Sequence, residues 1–346
     1  QLQHITPNWG MRDANWFIDF PASARKITTF FKKEAGYDVD GVITFSPQIV
    51  AKMLDIVGSV EMPEYNLTLD SNNLFSALQE EVEYKGDRKQ PKQIIMDLAP
   101  LVLKKLYSAE SGKWLEVFNL LVASMEQKDI LMYFRDLNLE SFSVDKGFSG
   151  KVANTDSDYL MVTFSNVKGS KTDLVIDSSL KLWTESENGK HKVSITRAHN
   201  GGNSEYGFYN KQNPAYVRVL VPENAEFVGL TGNSRPDFKP LIDYATSGFK
   251  KDEDLAKFEE ESYTDKETGV TIYKEAGKTE YGFWMIINPG ETKTVDLEYT
   301  VPSSGNSYQF YVQKQPGLDI NDFKFYMDDK LYFDGRLDKD MIISPR

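Results

Sequence analysis

The spacing of apolar residues changes near residue 150, and this change constrains the fold more than any other feature of the sequence. Before it, apolar stripes of helical spacing alternate with short β-rich runs, as at residues 21–37 and 39–45. After it, polar and apolar residues alternate, as in TKTVDLEY at 292–299, which is typical of strands with one buried face. A chain that carries both patterns in succession is predicted to be an α+β protein.

Residues 1–145 are predicted to form an α/β layered domain. Helices are expected at 21–37, 47–56, 70–82, 90–107 and 113–125, and β-rich runs lie at 39–45 and 129–134. The stop signals are clear, because Gly36 and Gly58 follow the last apolar residues of the first two helices. Strands separated by helices of this length favour a layered arrangement.

Residues 150–346 are predicted to form a mostly antiparallel β-sandwich. The turn Glu187-Asn188-Gly189 joins two strand-like runs and is a strong hairpin signal. A charged, partly helical stretch that contains DEDLAKFEEES interrupts the strands at 236–266. Runs of charge usually lie on solvated helix faces. We therefore interpret this stretch as an insertion in the β domain or a solvated helix within it.

Composition excludes several classes of function. The net charge of −12 argues against nucleic acid, or an anionic membrane surface, as the main partner, because phosphate binding requires clustered Lys and Arg. The chain has no cysteine, which removes thiol nucleophiles, disulfides and Cys-ligated metal sites. The common phosphate-binding glycine motifs do not occur, and no apolar run reaches the length of about 18 residues that a membrane span requires. Because the chain starts at Gln1, we expect any signal peptide or anchor to precede it.

Two polar clusters are candidate binding sites, and the first is Arg12-Asp13-Ala14-Asn15-Trp16 with Asp19. It comes just before a helix that Pro21 opens, and helix N-termini attract anions. Arg12 would hold a phosphate there, while Asp13 or Asp19 would hold a divalent metal. The alternative is structural, with an aspartate that caps the helix and a tryptophan that anchors the segment.

The second cluster is Lys85-Gly86-Asp87-Arg88-Lys89-Gln90, which also comes before a helix. Basic and amide side chains at a helix start suit a pyrophosphate, and Arg88 offers a bidentate fork. The alternative is an exposed turn that carries charge. The candidate anion ligands of the two clusters are therefore Arg12, Arg88, Lys89 and Gln90, and no catalytic residue is assigned.

Several motifs resemble one bacterial envelope family. They are RDANWFIDFPASA (12–24), DGVITFSPQIVAKMLDIVGSVEMPEY (40–65), KQPKQIIMDLAPLVLKKL (89–106), NVKGSKTD (166–173) and QKQPG (313–317). The family is known only as domain of unknown function four-zero-one-two, and its members are typically anchored by an N-terminal transmembrane helix. The resemblance implies a protein on the extracellular side of the cell envelope, anchored by a segment that precedes Gln1.

Residues 38–106 are more distantly similar to LytR-CpsA-Psr proteins. The shared order is a strand, a helix, the turn Gly58-Ser59-Val60, an acidic helix, and a helix start at which Arg88 and Gln90 match an Arg–x–Gln segment. Those proteins transfer glycans from polyprenyl pyrophosphate onto peptidoglycan, with arginines on the pyrophosphate and a magnesium ion held by aspartates. The resemblance implies a LytR-CpsA-Psr-like domain truncated at its start, with Arg12 and Asp13 near the same cleft.

Two functions from different classes remain open. One is a non-enzymatic surface or assembly protein that contacts cell-wall glycan, lipid-linked glycan or other surface proteins. The other is a phosphotransferase that moves polyprenyl-pyrophosphate-linked glycan onto a cell-wall polymer, with magnesium as the implied cofactor. We favour the first, because the early strands that carry the aspartates and arginines of LytR-CpsA-Psr proteins are expected to precede Gln1. In addition, Arg88 stands where several arginines are usual, and a lysine such as Lys89 lacks the bidentate fork.

Overall fold

Helices and strands follow one another along the chain in a computed structural model that describes residues 2–85, 90, 92–302 and 308–345. The helices of these residues are α1 (Phe20–Ala35), α2 (Gln48–Val57), α3 (Leu74–Glu80), α4 (Gln93–Tyr107), α5 (Ser111–Glu126), α6 (Leu137–Asp145) and α7 (Glu253–Glu260). The strands of the first half are β1 (Gly41–Phe45), β2 (Val60–Met62), β3 (Leu67–Leu69) and β4 (Ile130–Phe134). A 3₁₀ turn at Met11–Asp13 precedes α1.

Thirteen further strands lie among the described residues after 150. They are β5 (Asp158–Asn166), β6 (Ile176–Glu185), β7 (Lys190–His199), β8 (Asn213–Pro222), β9 (Glu226–Thr231), β10 (Tyr263–Thr264), β11 (Thr271–Glu275), β12 (Lys278–Ile287), β13 (Thr292–Thr300), β14 (Phe310–Gln313), β15 (Ile320–Met327), β16 (Lys330–Leu337) and β17 (Met341–Ile343). The only α-helix that interrupts them in this part of the described chain is α7, which lies within the predicted insertion.

The helical part has two apolar cores. In one, Phe20 and Ala24 of α1 pack against Leu131 and Tyr133 of β4, which pairs antiparallel with β1. In the other, α2, α4 and α5 enclose buried side chains together with the antiparallel ribbon β2–β3. The boundary between domains predicted at 145–150 stays a prediction.

Helix ends follow local backbone chemistry. Gly36 adopts a left-handed conformation (φ +83°), and its N–H donates to the Lys32 carbonyl, so α1 ends where the sequence predicts. Gly58 ends α2 with a different positive-φ conformation (φ +87°, ψ 171°), and its N–H donates to the Leu54 carbonyl. Helix α6 was not predicted, although Asp136 caps it by accepting hydrogen bonds from the Asn138 and Leu139 N–H groups.

The strands after residue 150 form two sheets packed face to face. One sheet has the order β10-β11-β12-β8-β5-β14-β17, and the other β16-β15-β6-β7-β13-β9. Two of the pairs are parallel, β5 with β14 and β6 with β15, and the other pairs in these sheets are antiparallel. The α+β class and the mostly antiparallel sandwich are therefore confirmed.

The predicted hairpin joins β6 to β7, with Glu185 opposite Lys190. Gly189 in its turn has φ +66°, and a Cβ there would overlap the Val301 carbonyl oxygen. Only glycine combines that conformation with so close an approach of another backbone.

The two faces of the seven-stranded sheet have different partners. Since side chains alternate along a strand, Val217 and Val219 of β8 face the core between the sheets, and Tyr216 and Arg218 lie on the outer face. Ile18, from the segment before α1, packs on this outer face. The N-terminal segment is therefore part of the sandwich and not a free arm.

None of the helices in the described part of the chain is long and apolar enough to cross a lipid bilayer.

The close packing of Tyr216 against Gly282 on the outer face can be tested by substitution. A Cβ at this position would overlap the Tyr216 hydroxyl and lie 2.8 Å from its Cζ, and the ring cannot retreat because it is buried against Trp284. Gly282→Ala should lower the free energy of unfolding by about 1–3 kcal/mol, measured by urea denaturation. The control is Gly229→Ala in β9, where a Cβ meets nothing within 4 Å. Equal stabilities of the two variants would contradict the packing.

Candidate functional site

The first predicted cluster lies just before α1. The Arg12 side chain is exposed and Asp13 is half-buried, and the Asp13 carbonyl accepts a hydrogen bond from Trp9 Nε1 (2.8 Å). Asp19 occupies the N-cap position, but its carboxylate accepts from the Val152 N–H (3.0 Å) and makes no cap bond to α1. Asp19 therefore joins the start of the helix to the chain at the entrance of the sandwich.

The second predicted cluster falls mostly outside the described residues. Arg88 and Lys89 are not among them, and Gln90 is exposed. Lys85 forms an ion pair with Glu80 (2.8 Å). Within the described ranges no three His, Asp or Glu side chains are grouped so that they could hold a metal ion, so the magnesium site and the anion site stay predictions.

A groove of about 600 Å³ lies between the N-terminal segment and residues 244–259, and we call it the aromatic groove. Six aromatic side chains line it: Trp9, Trp16, Tyr244, Phe249, Phe258 and Tyr273. Polar side chains also line it: Gln3, Thr6, Asn8, Lys250, Lys251, Asp252 and Glu259. Its size and its mixture of apolar walls with a few polar groups are typical of small-molecule and oligosaccharide sites.

Hydrogen bonds between distant segments hold the two walls together. The Tyr244 hydroxyl donates to the Pro7 carbonyl (2.8 Å), and the Leu241 N–H donates to the Gln3 carbonyl (3.0 Å). These bonds fix residues 241–244 to the N-terminal segment. The shape of the groove is therefore set by the fold and does not depend on a ligand.

Helix α7 is fixed to α1 by Lys26. Asp252 caps α7 through the Asp254 and Leu255 N–H groups, and both of its carboxylate oxygens accept from Lys26 Nζ at 3.0 Å. Lys26 also forms an ion pair with Asp254. Burial by itself would lower the pKa of Lys26, but the hydrogen bonds and charges of Asp254 and Asp252 outweigh burial and raise that pKa above its ordinary value.

The aromatic rings of the groove are held by one another. The Phe258 ring stacks on Tyr273, with centroids 4.6 Å apart and planes at 12°. Trp9 meets Phe30 of α1 edge to face at 5.3 Å. Rings with fixed orientations present flat faces to a ligand without losing further conformational entropy on binding.

Below Trp16 lies a buried cluster of ionisable side chains. The Arg218 guanidinium lies 5.1 Å from the Trp16 ring centroid, and its Nη1 donates to the Trp16 carbonyl (3.0 Å). The Ile18 N–H donates to Glu275 Oε1 (2.9 Å). Glu280 is fully buried, and burial raises its pKa well above the ordinary value; the charge of Arg218 opposes this rise and Glu275 adds to it.

A second groove, of about 580 Å³, lies on the other side of Phe258, between α1 and α7. Its lining contains Asp19 from the first predicted cluster. The charges around it are mixed: Arg25, Lys26, Lys257 and Lys274 against Asp19, Asp254, Glu261 and Glu275. This balance makes it a less selective site for an anion than a cluster of arginines would be.

A cleft of about 710 Å³ at one end of the sandwich holds a buried polar network. Asp158 accepts from the Tyr308 hydroxyl (2.6 Å) and lies 3.2 Å from His191 Nε2, and His191 Nδ1 lies 3.0 Å from Thr184 Oγ1. Burial lowers the pKa of His191, although the charge of Asp158 opposes this. The network ties β5, β6 and β7 together and so serves the fold.

Sequence reasoning missed most of the aromatic groove. We interpreted the charged run at 252–261 as a solvated face, yet Asp252 binds Lys26 and Phe258 packs on Tyr273. Two apolar residues three apart in that run, Leu255 and Phe258, were the available signal of a half-buried helix. Of the first predicted cluster, Trp16 is the residue that lines the groove.

The fold and the groove define an α+β protein with a β-sandwich and an aromatic groove, and its first part is similar to one known family. Residues 1–83 match the family described as "Protein of unknown function (DUF4012)". This match confirms the resemblance to that family over 83 of 346 residues, which contain the motifs at 12–24 and 40–65. No curated protein matches the chain. The more distant similarity to LytR-CpsA-Psr proteins stays a prediction.

The buried carboxyl of Glu280 predicts a pH dependence of stability. Because its pKa is raised in the folded state, the stability that the neutral carboxyl contributes is complete below its ordinary pKa of 4.5 and is lost as the pH rises through the folded pKa. Glu280→Gln, which mimics the neutral acid, should therefore stabilise the protein more at about pH 8 than at about pH 5. Urea midpoints at the two pH values measure this.

The control is Glu116→Gln, an exposed substitution on α5. Burial lowers the pKa of His191, so this residue makes stability fall as the pH drops below its ordinary pKa of 6.5, the opposite direction to Glu280. Each variant is therefore compared with the wild type at the same pH. An identical gain from Glu280→Gln at both pH values would show that Glu280 is not protonated in the folded protein.

Proposed function

We propose that this protein belongs to the extracellular side of a cell envelope and binds a glycan chain in the aromatic groove, without acting as a transferase. The envelope location follows from the family resemblance of the motifs. The glycan is inferred from the groove itself. The observation that carries the proposal is the convergence of six aromatic side chains from three separate segments on one groove that also contains amide and carboxylate groups.

The chemistry of the lining suits a sugar. Pyranose rings present C–H groups on their faces, which pack on aromatic rings because the ring face is the negative end of the aromatic quadrupole. The hydroxyl groups of a sugar both donate and accept hydrogen bonds, so a sugar site needs donor and acceptor side chains around its edge. Gln3 and Asn8 offer amides, while Glu259 offers an acceptor and Lys250 a donor.

The charges of the groove favour a neutral glycan. Two lysines, Lys250 and Lys251, are balanced by Asp252 and Glu259, and Lys251 pairs with Glu259 at 2.8 Å. A polyanionic glycan would need an excess of positive charge. Oligomers of N-acetylglucosamine, which carry no charge, are therefore the first probe. Isolated peptidoglycan glycan strands, which carry a lactyl carboxylate on every second sugar, are the second probe and should bind more weakly.

Phe249→Ala tests this function. The Phe249 side chain is 51% exposed, so its truncation should leave the fold intact and remove one stacking surface. We expect affinity for N-acetylglucosamine oligomers to fall about five- to tenfold, corresponding to about 1–1.4 kcal/mol, measured by isothermal titration calorimetry on the whole chain.

The matched control is Phe118→Ala, which removes an equally large exposed ring from α5, outside the groove. It should bind the oligomers like the wild type. Equal affinities of the Phe249→Ala variant and the wild type would exclude the groove as the binding site, and a wild-type chain that binds neither probe would exclude the proposed function.

A further inference from the structure

Three long ionisable side chains of the buried cluster meet on the outer face of the seven-stranded sheet. Strand register places Glu280 of β12 diagonally across from Glu275 of β11 on one side and from Arg218 of β8 on the other. Diagonal neighbours in a sheet are about 7–8 Å apart, a distance that long side chains can span. The exposed fractions are 7% for Arg218, 9% for Glu275 and 0% for Glu280, so water has little access to the cluster.

The two carboxyl groups of the cluster lack donors. Glu275 Oε1 accepts a hydrogen bond from the Ile18 N–H, but Glu275 Oε2 and both carboxyl oxygens of Glu280 have no donor among the described residues. An ionised carboxylate can only accept hydrogen bonds, and buried polar atoms seldom stay unpartnered. One proton held between the two groups satisfies both, because the neutral carboxyl then donates to the ionised one.

Glu280 is the group that carries this proton. Its burial, together with the charge of Glu275 and a hydrogen bond with Glu275, raises the pKa of Glu280 well above its ordinary value, although the charge of Arg218 opposes the rise. Glu275 stays ionised and keeps its bond to the backbone of Ile18.

The buried cluster also holds one wall of the aromatic groove. Arg218 Nη1 donates to the Trp16 carbonyl (3.0 Å), and the Trp16 ring lies over the guanidinium at 5.1 Å. Two residues further on, the Ile18 N–H donates to Glu275 (2.9 Å). Trp16 lines the groove, so the position of this wall depends on the cluster beneath it.

Arg218 can exchange one partner for another. Its Nε donates to no acceptor among the described residues, while its Nη1 is bonded to the Trp16 carbonyl. A guanidinium binds an ionised carboxylate more strongly than it binds a neutral carbonyl. Ionisation of Glu280 would therefore draw Arg218 away from Trp16, and it would place a second negative charge beside Glu275.

We propose that Glu275 and Glu280 share one proton, and that loss of this proton to solvent releases the N-terminal wall of the aromatic groove from the sheet. Residues 16–18 then lose their two bonds to the cluster, and Trp16 moves out of the position in which it faces a ligand. Glycan binding would be regulated by pH through this release. The inference rests on the proposed function for its ligand, whereas the release is a property of the chain alone.

The direction of the pH response follows from linkage. The proton is bound more tightly in the attached state than in the released state, so attachment is complete at low pH and is lost as the pH rises through the raised pKa of Glu280. A ligand that binds only the attached state must bind more weakly over the same range.

Other ionisable groups also lie around the buried cluster. Burial lowers the pKa of Lys278 and raises that of Tyr216, so Lys278 is a second group whose charge changes toward alkaline pH. The test therefore assigns the pH response by substitution at Glu280. The groups on the neighbouring strands and around the second groove, which Glu275 also lines, are Tyr216, Tyr273, Lys278, Asp19, Arg25, Lys26, Lys257, Lys274, Asp254 and Glu261.

The first measurement is hydrogen exchange of the whole chain by mass spectrometry at about pH 5 and about pH 8, with each rate divided by that of the unfolded chain at the same pH. Protection of residues 11–19 should fall roughly fivefold or more at the higher pH. Strand β7, which contributes Val193 and Ile195 to the core between the sheets, should stay far better protected than residues 11–19.

Glu280→Gln is the decisive variant. Its amide cannot ionise and can still donate to Glu275, so residues 11–19 should keep their protection at both pH values. Glu116→Gln, the exposed control on α5, should respond to pH like the wild type.

The second measurement is the affinity for N-acetylglucosamine oligomers by titration calorimetry at the same two pH values. The affinity of the wild type should fall roughly fivefold or more at the higher pH, and that of Glu280→Gln should change by less than about twofold.

Four results would overturn the proposal. The wild type could show equal protection of residues 11–19 at the two pH values, or Glu280→Gln could lose as much protection as the wild type does. Strand β7 could fall to the same level of protection as residues 11–19, which would show unfolding of the sandwich. The wild type could also lose protection at residues 11–19 and still bind the oligomers equally at both pH values.

Failure of the proposed function gives a different result. A wild type that binds no oligomer at either pH would refute glycan binding, and regulation of glycan binding with it, while the exchange of residues 11–19 in the wild type and in Glu280→Gln would still decide whether the shared proton holds the N-terminal wall.

Discussion

The contact between the N-terminal segment and the outer face of the seven-stranded sheet determines much of the rest of the structure. Arg218 and Glu275 are buried there. The Arg218 guanidinium donates a hydrogen bond to the Trp16 carbonyl, and the Glu275 carboxylate accepts one from the Ile18 N–H. Burying ionisable groups costs free energy unless they have partners. The N-terminal segment supplies hydrogen-bond partners for these groups and also excludes water from them. Asp19 adds a further attachment, because its carboxylate accepts a hydrogen bond from the Val152 N–H.

This attachment explains why a binding groove forms at the edge of the sandwich. With residues 9–16 held against the sheet, the segment that contains α7 has a surface to pack on, and Lys26 fixes it there through Asp252. The aromatic side chains are oriented before any ligand arrives, and such preorganisation reduces the entropy lost on binding. The groove and the buried cluster beneath Trp16 therefore both depend on the attachment of the N-terminal segment to the sheet.

Local features of the fold could be predicted from the sequence alone. Gly36 and Gly58 end their helices, the turn before Lys190 closes a hairpin, and alternating residues form the strands of a mostly antiparallel sandwich, because backbone preference and side-chain period depend on near neighbours. The candidate site could not be predicted in this way. Ile18 and Glu275 are 257 positions apart, and Lys26 and Asp252 are 226 apart. Which distant segments meet is decided by the packing of complete surfaces, so the aromatic groove exists only in the tertiary structure.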